Sequence, residues 1–488
     1  MMTDIVEHSQ LVIGGQLVDP IGKDTIEVVS PHTEEVIARV PHASTADVDA
    51  AVATARKAFE EGPWPRMSLD ERIAILEKIR DGFMTRSQEI AEVVASQNGS
   101  PVGWGLFAQA IGAGMIYDTV AKIARDYQWE EKRTGLLNPL LIRREAVGVV
   151  AAVVPWNVPQ FVTAAKLAPA IAAGCTIVLK PSPETPLDSY ILAEICREAG
   201  LPDGVLSIVA ADREVSEYLV AHPGIDKVAF TGSVGAGKRI MEVAARNLTR
   251  VTLELGGKSA AIILPDADLE HTATTLLPNS YMNNGQACVA QTRILAPRSR
   301  YDEIAERFTA WVGELKVGDP MAADTQVGPL VAKRQQQRSF DYIRIGQEEG
   351  AKLLAGGGRP EAQEKGWYVE PTLFGDVDNS MRIAQEEIFG PVVALIPYDD
   401  EAQAIALAND SDFGLSGSVW TTDIEKGIDV ARKIRTGTYS VNTFGLDFFG
   451  PFGGFKNSGI GREFGIEGLG AYTEAKSIAL PAGYDAQI

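Results

Sequence analysis

The stretch VGVVAAVVP at residues 147–155 decides the fold. It is a short, uncharged, β-branched run that stops at a proline, which is how a strand buried on both faces reads. Runs of the same texture follow: CTIVLKP (175–181), VLSIVA (205–210), KVAFTG (227–232) and SAAIIL (259–264). Helix-like segments such as SYILAEICREAG (189–200) separate them. Alternation of this kind predicts βαβ units around a buried parallel sheet, and so an α/β fold of Rossmann-like character.

Upstream, helical signals come first. Ser44 to Asp47 resembles a capping pattern, Val48, Ala51, Ala55 and Ala58 then recur at spacings of three and four, and Leu69 to Ser96 reads similarly. Between Ala121 and Glu145 the segment GLLNPLLIRRE (135–145) offers adjacent leucines around Asn138-Pro139 that fit neither period. It reads as a projecting hairpin arm covered by another subunit, with a plain surface loop as the alternative. After Gly257 a second α/β region carries the strand candidates VALIPYDD (393–400), GSVWTTD (417–423) and TGTYSVNTF (436–444). The Gly-rich PFGGFKNSGIGRE (451–463) follows them.

A chain of 488 residues with 45% hydrophobic content divides into two or three domains. Its 45 Lys and Arg stand against 65 Asp and Glu, a formal charge of -20, which argues against nucleic-acid and anionic-membrane partners. The opening MMTDIVEHSQLVIGG has no basic start before an apolar stretch, and no long apolar run follows, so a cytoplasmic location is expected. Three cysteines, Cys175, Cys196 and Cys288, are too sparse for a disulfide framework.

Cys288 lies in NNGQACVA, where small neighbours leave the backbone open, while Cys175 and Cys196 sit in apolar company. Taken alone, Cys288 is either a nucleophile or one more buried structural cysteine. The five histidines, His8, His32, His42, His222 and His271, share no motif with it, and no Cys or His pair has metal-ligand spacing. A base for this thiol must then be a carboxylate or water. Glu254 in VTLELGGKSAAIIL ends a strand-like run before two glycines, where α/β folds place function, and flanking leucines would raise its pKa. An edge glutamate facing solvent is the alternative. FTGSVGAGKRI follows a strand and opens a helix, so Gly232, Ser233, Gly235 and Gly237 could bring backbone amides to a pyrophosphate, or form a plain turn.

Together with PWNVP (155–159), KPSPETP (180–186), EEIFGPV (386–392) and PFGGFKNSG (451–459), these pieces resemble the aldehyde dehydrogenase superfamily. The resemblance spans nearly the whole chain, the motifs stand in the family's order, and Cys288 lies 34 positions after Glu254, as in the family. It implies oxidation of an aldehyde to its acid with NAD(P)+. The thiolate of Cys288 would form a thiohemiacetal whose oxyanion meets Asn157 and the Cys288 amide, and Glu254 would activate the water that clears the thioester. The resemblance further assigns Glu387 to the nicotinamide ribose, Phe389 to the face beside that ring, and Lys180 to the adenosine ribose. Trp156, Ser182, Glu184, Gly232, Ser233, Gly237 and Leu255 would complete the cofactor cradle.

One departure stands out: the family often has a glutamate three residues after the lysine, here Pro183, with Glu184 one place later. NAD is the expected cofactor, with NADP left open. The family's tunnel positions supply Val158, Phe161, Val162, Phe444, Phe448, Phe449 and Phe452, with no cation among them, so an aliphatic, terpenoid or aromatic aldehyde is expected over a semialdehyde acid.

The expected organisation is an NAD(P)-binding domain from 1–122 and 146–256, a catalytic domain from 257–468, and an oligomerisation element from 123–145 and 469–488, in a homodimer or homotetramer. Glu474 would either meet an arginine near the subunit contact or be a surface residue. Two rivals differ in kind: a CoA-acylating aldehyde dehydrogenase, which typically lacks the glutamate base, and a non-catalytic NAD-binding or structural protein of the same fold.

Overall fold

The run at 147–155 forms the strand Val149–Val153, in which every residue is buried. In this computed structural model, which describes residues 5–484, four of the five runs share one sheet. Residues 1–4 and 485–488, the outer ends of the expected first and last parts, lie outside the described residues. The eight-stranded sheet has a parallel centre in the spatial order Arg250–Glu254, Lys227–Thr231, Val149–Val153, Thr176–Lys180, Leu206–Ile208. From Val149–Val153 the chain first builds outward to one side and then returns to build the other. The strand order therefore reverses between Val149–Val153 and Lys227–Thr231, and ligands in open α/β sheets bind in the crevice at such a point.

Register fixes what faces that crevice. Val153 pairs with Lys180 and Phe230, and Thr231 pairs with Glu254, so the carboxyl ends of four strands lie level. The fifth run, as Ala260–Ile263, belongs instead to a seven-stranded sheet whose neighbours are all parallel except at the edge strand Lys352–Ala355. The Gly-rich segment folds back: Gly459–Ile460 pairs antiparallel with Arg250–Glu254, so part of the second region closes the edge of the first sheet.

Helices do not come first, as the sequence had suggested. Five strands precede them between Val6 and Pro41, and Leu11–Ile13 with Gln16–Val18 extends the large sheet. Gly14 and Gly15, at φ of 60° and 84°, make the two-residue turn that a tight hairpin requires. The helix Thr45–Glu60 then begins with a full capping box: Asp47 N donates to Ser44 Oγ and Ser44 N to Asp47 Oδ2. The stretch 69–96 resolves into two helices, Leu69–Thr85 and Ser87–Asn98, parting at Arg86.

The helix Pro159–Ala173 positions the site most directly. Proline at its first position suits the helix start, and Gly174 at φ 89° ends it. All but one of its 15 residues are buried, as expected for a helix apolar on every side, and each fully buried Leu or Ile contributes roughly 1.5–3 kcal/mol. The one cation it carries, Lys166, is therefore conspicuous.

The helix Gly112–Asp126 runs beyond the expected start of the arm, with Ala121 and Ala124 buried. Only then do Glu130–Arg133 and Leu140–Ala146 form a hairpin, paired on its far edge with Thr473–Ala479. Leu136 and Leu137 at its tip are 100% and 85% exposed. Glu474 pairs within the chain with Arg250 at 2.5 Å, both half exposed. No helix among the described residues is long and apolar enough to cross a membrane.

Candidate active site

Ahead of Cys288 the backbone turns through Asn283, Asn284 and Gly285 at φ of 50°, 61° and 75°. The left-handed region costs a side-chain-bearing residue roughly 1–2 kcal/mol, so neighbours must hold this turn. Asn284 donates to Gly99 O and Pro329 O, each at 2.9 Å, and accepts from Gly328 N at 2.6 Å. Gln286 accepts from Val331 N at 3.1 Å. A methyl at Gly285 would stand 2.2 Å from the Gly390 carbonyl carbon, so only glycine fits there. Of the three free cysteines, Cys288 alone is not buried. Its packed surroundings, with the charges of Glu387 and Glu254 behind them, push the thiol up to about 12.

Asn157 follows the strand Val149–Val153 and precedes the buried helix. Its Nδ2 donates to Gln286 O at 2.8 Å, two residues before the nucleophile, leaving its second hydrogen free. The Asn157 carbonyl is held by side-chain amides from Asn98, Gln109 and Asn283. Gln109 lies in a π-helical turn, Leu106–Ile111, a rare form often found at functional sites.

Glu254, the last residue of its strand, is 2% exposed, and neither carboxyl oxygen has a hydrogen-bond partner among the described residues. Burial raises its pKa well above the usual range and the charge of Glu463 adds to this, while Lys166 and Arg462 pull the other way. Lys166 and Glu463 form a buried ion pair, and Lys166 also donates to Thr231 Oγ1 at 2.7 Å. Gly453, at φ 151°, lets the C-terminal loop approach: a methyl there would stand 2.7 Å from Glu254 Oε1. Lys166, Glu463, Asn98, Gln109 and Asn283 received no role at the site in the sequence reading, although Asn283 opens NNGQACVA and Glu463 ends PFGGFKNSGIGRE. Lys166 carried a signal of its own, as a lone charge in the apolar run AAKLAPAIAA.

A cavity of about 370 Å³ has Asn157 and Cys288 in its wall, together with Leu255 and Gly256, while Glu254 itself is not in the lining. Trp156, Gly232, Ser233, Glu387 and Phe389 also line it. Glu387 accepts from Gly257 N at 2.9 Å, and burial raises it to about 7. Trp156 and Phe389 meet edge to face at 5.3 Å. A second cavity of about 320 Å³ shares Trp156 and Arg334 with the first and is lined by Lys180, Ser182 and Glu184. Burial lowers Lys180 to about 8. Burial alone would raise Glu184, but the paired Arg334 and the Ser182 hydroxyl outweigh it and hold the carboxyl low.

Ser233 caps the helix Val234–Ala244 by accepting from Ala236 N at 3.3 Å, which leaves the helix N-terminus beside both cavities. Gly237 plays a different part from the one its motif suggests. It lines neither cavity, and a methyl there would stand 2.7 Å from both methyls of Leu255, so the glycine lets helix and strand end pack.

Val158 and Val162 line the cavity at Cys288. Phe161 and Phe448 meet at 5.7 Å, and Phe464, which the sequence reading passed over, contacts Phe448, Phe161 and Phe452 at 5.1, 5.8 and 5.9 Å. Phe444 packs against the same core. Phe449 does not join the group: it is 59% exposed. Among the described residues, no cluster of three His, Cys, Asp or Glu side chains is arranged to hold a metal ion.

A family model described as the aldehyde dehydrogenase family matches residues 18–478. A geranial dehydrogenase of Castellaniella defragrans is 45% identical over 478 residues, covering 97% of this chain and 99% of that protein. The crystal structure of a Mycobacterium tuberculosis aldehyde dehydrogenase complexed with NAD+ superposes with a TM-score of 0.97 at 49% identity, over 99% of this chain and 100% of that one. A mutant aldehyde dehydrogenase C from Pseudomonas syringae, complexed with NAD+ and octanal, gives 0.95 at 40% identity over 98% of each chain.

Proposed function

Because the chain belongs to the aldehyde dehydrogenase family, we propose that it oxidises an apolar aldehyde to the carboxylic acid with NAD+, using Cys288 as nucleophile and Glu254 as base. The observation that carries this reading is the buried Glu254 carboxyl, without a hydrogen-bond partner among the described residues and within electrostatic reach of the one cysteine that is not buried. A group left in that state wants a water or a substrate to complete it.

The Cys288 thiol gives its proton to water as the sulfur forms a bond to the carbonyl carbon, and the displaced π pair becomes an oxyanion. The free hydrogen of Asn157 Nδ2 and the Cys288 amide meet that charge, each donor being worth roughly 3 kcal/mol. Cofactor fit rests on this chain's geometry: two adjoining cavities, a helix N-terminus between them, Lys180 in one and Glu387 in the other. Lys180, Ser182, Glu184, Trp156, Gly232, Ser233, Leu255, Glu387 and Phe389 would hold the dinucleotide, which supplies the hydride acceptor when bound. Gly237 serves through its packing on Leu255. The carbon loses its hydride as the oxyanion collapses, leaving a thioester on Cys288. Glu254 takes a proton from water, the resulting hydroxide attacks the thioester, and the sulfur leaves as thiolate.

Val158 and Val162 at the nucleophile, with the cluster of Phe161, Phe448, Phe452 and Phe464, favour an aliphatic, terpenoid or aromatic aldehyde. The similarity to a geranial dehydrogenase and to an octanal-bound structure supports the same class. A 2'-phosphate would meet the Glu184 charge, which favours NAD over NADP.

The segments 1–122 and 146–256 would serve as the cofactor domain and 257–468 as the catalytic domain. The hairpin with the C-terminal strand would join subunits of a cytoplasmic homodimer or homotetramer. The test is turnover of an aldehyde panel with NAD+ and NADP+, with and without CoA, alongside Cys288→Ala. CoA-independent, Cys288-dependent oxidation of medium-chain and aromatic aldehydes is expected. Faster turnover of succinate semialdehyde would refute the substrate class, a CoA requirement would favour the acylating rival, and no turnover would favour a binding protein.

A further inference from the structure

The two expected oxyanion donors, Asn157 Nδ2 and Cys288 N, come from segments far apart in the chain, so something must fix their spacing. Three amides converge on the Asn157 carbonyl oxygen: Asn283 Nδ2 at 3.0 Å, Asn98 Nδ2 at 3.1 Å and Gln109 Nε2 at 3.4 Å. A carbonyl has two lone pairs, so holding this segment does not by itself require all three. Asn98 and Gln109 reach it from the helical layer, and among the described residues neither side chain hydrogen-bonds to the nucleophile turn.

Asn283 differs. Its Nδ2 also donates to Gln286 O at 3.2 Å, the same carbonyl that accepts from Asn157 Nδ2. Its Oδ1 accepts from Ser100 Oγ, so every polar atom of the amide is engaged. The side chain is 2% exposed and stands on a left-handed backbone that asparagine tolerates better than most residues.

We propose that Asn283 is a positioning residue of the oxyanion site, clamping the Asn157 segment to the nucleophile turn so that the two donors keep one spacing. This rests on the reading of Asn157 as an oxyanion donor. An amide is required because one group must donate to two carbonyls while accepting from a hydroxyl. Alanine would leave each carbonyl its other donors but remove the one group that ties the two together, and aspartate would turn an acceptor against both.

The test is a double-mutant cycle in the full-length enzyme, measuring kcat/KM and the rate of the first turnover with a good aldehyde. Asn283→Ala should lower both by roughly ten- to a hundred-fold, the cost of misplacing a catalytic group by a fraction of an ångström to an ångström. In an Asn157→Ala background the same change should alter them by less than about two-fold, because the group it positions is gone. Should Asn283→Ala fold poorly, Ser100→Ala loosens the same amide from behind and should show a smaller loss that also vanishes in that background. Equal losses in both backgrounds would mean Asn283 merely supports the turn, and would overturn the proposal. A full-activity Asn157→Ala enzyme would instead refute the oxyanion reading beneath it.

Discussion

Replacing Glu254 by glutamine separates the base's chemistry from its cost to the fold. The substitution keeps the shape, and since neither carboxyl oxygen has a hydrogen-bond partner among the described residues, no bond to them is lost. Thioester hydrolysis should slow by roughly 10²–10⁴-fold, the usual worth of a positioned base, while formation of the acyl-enzyme is spared. Stopped-flow traces should then show a burst of one NADH per Cys288 before a slow steady rate. Stability carries a second signature. Burial raises the folded pKa of Glu254 above the ordinary value of 4.5. Between those two values the folded chain holds a proton that the unfolded chain has released, so stability falls as pH rises, by about 1.4 kcal/mol per unit. Glutamine cannot titrate, so the variant should gain on the wild type by that amount with each pH unit above about 4.5, up to the folded value. Urea midpoints at pH 5, 6 and 7 measure it. A gap that stays constant across that range, or a loss shared equally by burst and steady state, would refute the reasoning.

Asn157→Ala should cost roughly 3 kcal/mol of transition-state stabilisation, about 150-fold in kcat/KM. It should cost only about 1 kcal/mol of stability in urea, since Gln286 O keeps its bond from Asn283. Glu463→Gln removes a charge that raises the Glu254 pKa, so the acid limb of kcat should move to lower pH, and Lys166→Met should move it higher. Shifts in the same direction would disprove the coupling. Gly256→Ala would place a methyl 2.2 Å from Glu387 Oε2, so the carboxylate must leave and NAD+ affinity, followed by tryptophan fluorescence, should fall at least about ten-fold. Leu136→Ser with Leu137→Ser should weaken self-association on size-exclusion chromatography, and an unchanged elution volume would show that the hairpin tip covers nothing.

Much of this was legible in the sequence because it is written in short range. VGVVAAVVP and its sister runs carry their own burial signal, and Cys288 and Glu254 sit in segments whose small or apolar neighbours mark an open turn or a strand end, whereas Asn157 was singled out only through the family resemblance. The rest depends on contacts between distant segments. Glu463 acquires meaning only beside Lys166, which is 297 positions away. Asn283 matters through Asn157, 126 positions earlier. Three of the N-terminal strands, Val6–Glu7, Leu11–Ile13 and Gln16–Val18, went unread because pieces of two or three residues are too brief to show a period. Gly237 misled for a related reason, since its motif says turn while its packing against Leu255 says close approach.

The buried helix Pro159–Ala173 starts just after Asn157 and carries Lys166 about two turns in. On the mechanism proposed, one rigid rod therefore spaces the amide that serves the first half of the reaction and the cation that tunes the base for the second. Selection or engineering that shifts this rod to widen the aldehyde pocket at Val158 and Val162 would retime both halves at once. Changing substrate range without disturbing turnover should thus be easier from Phe448 and Phe464, which pack against Phe161 but are not part of the helix.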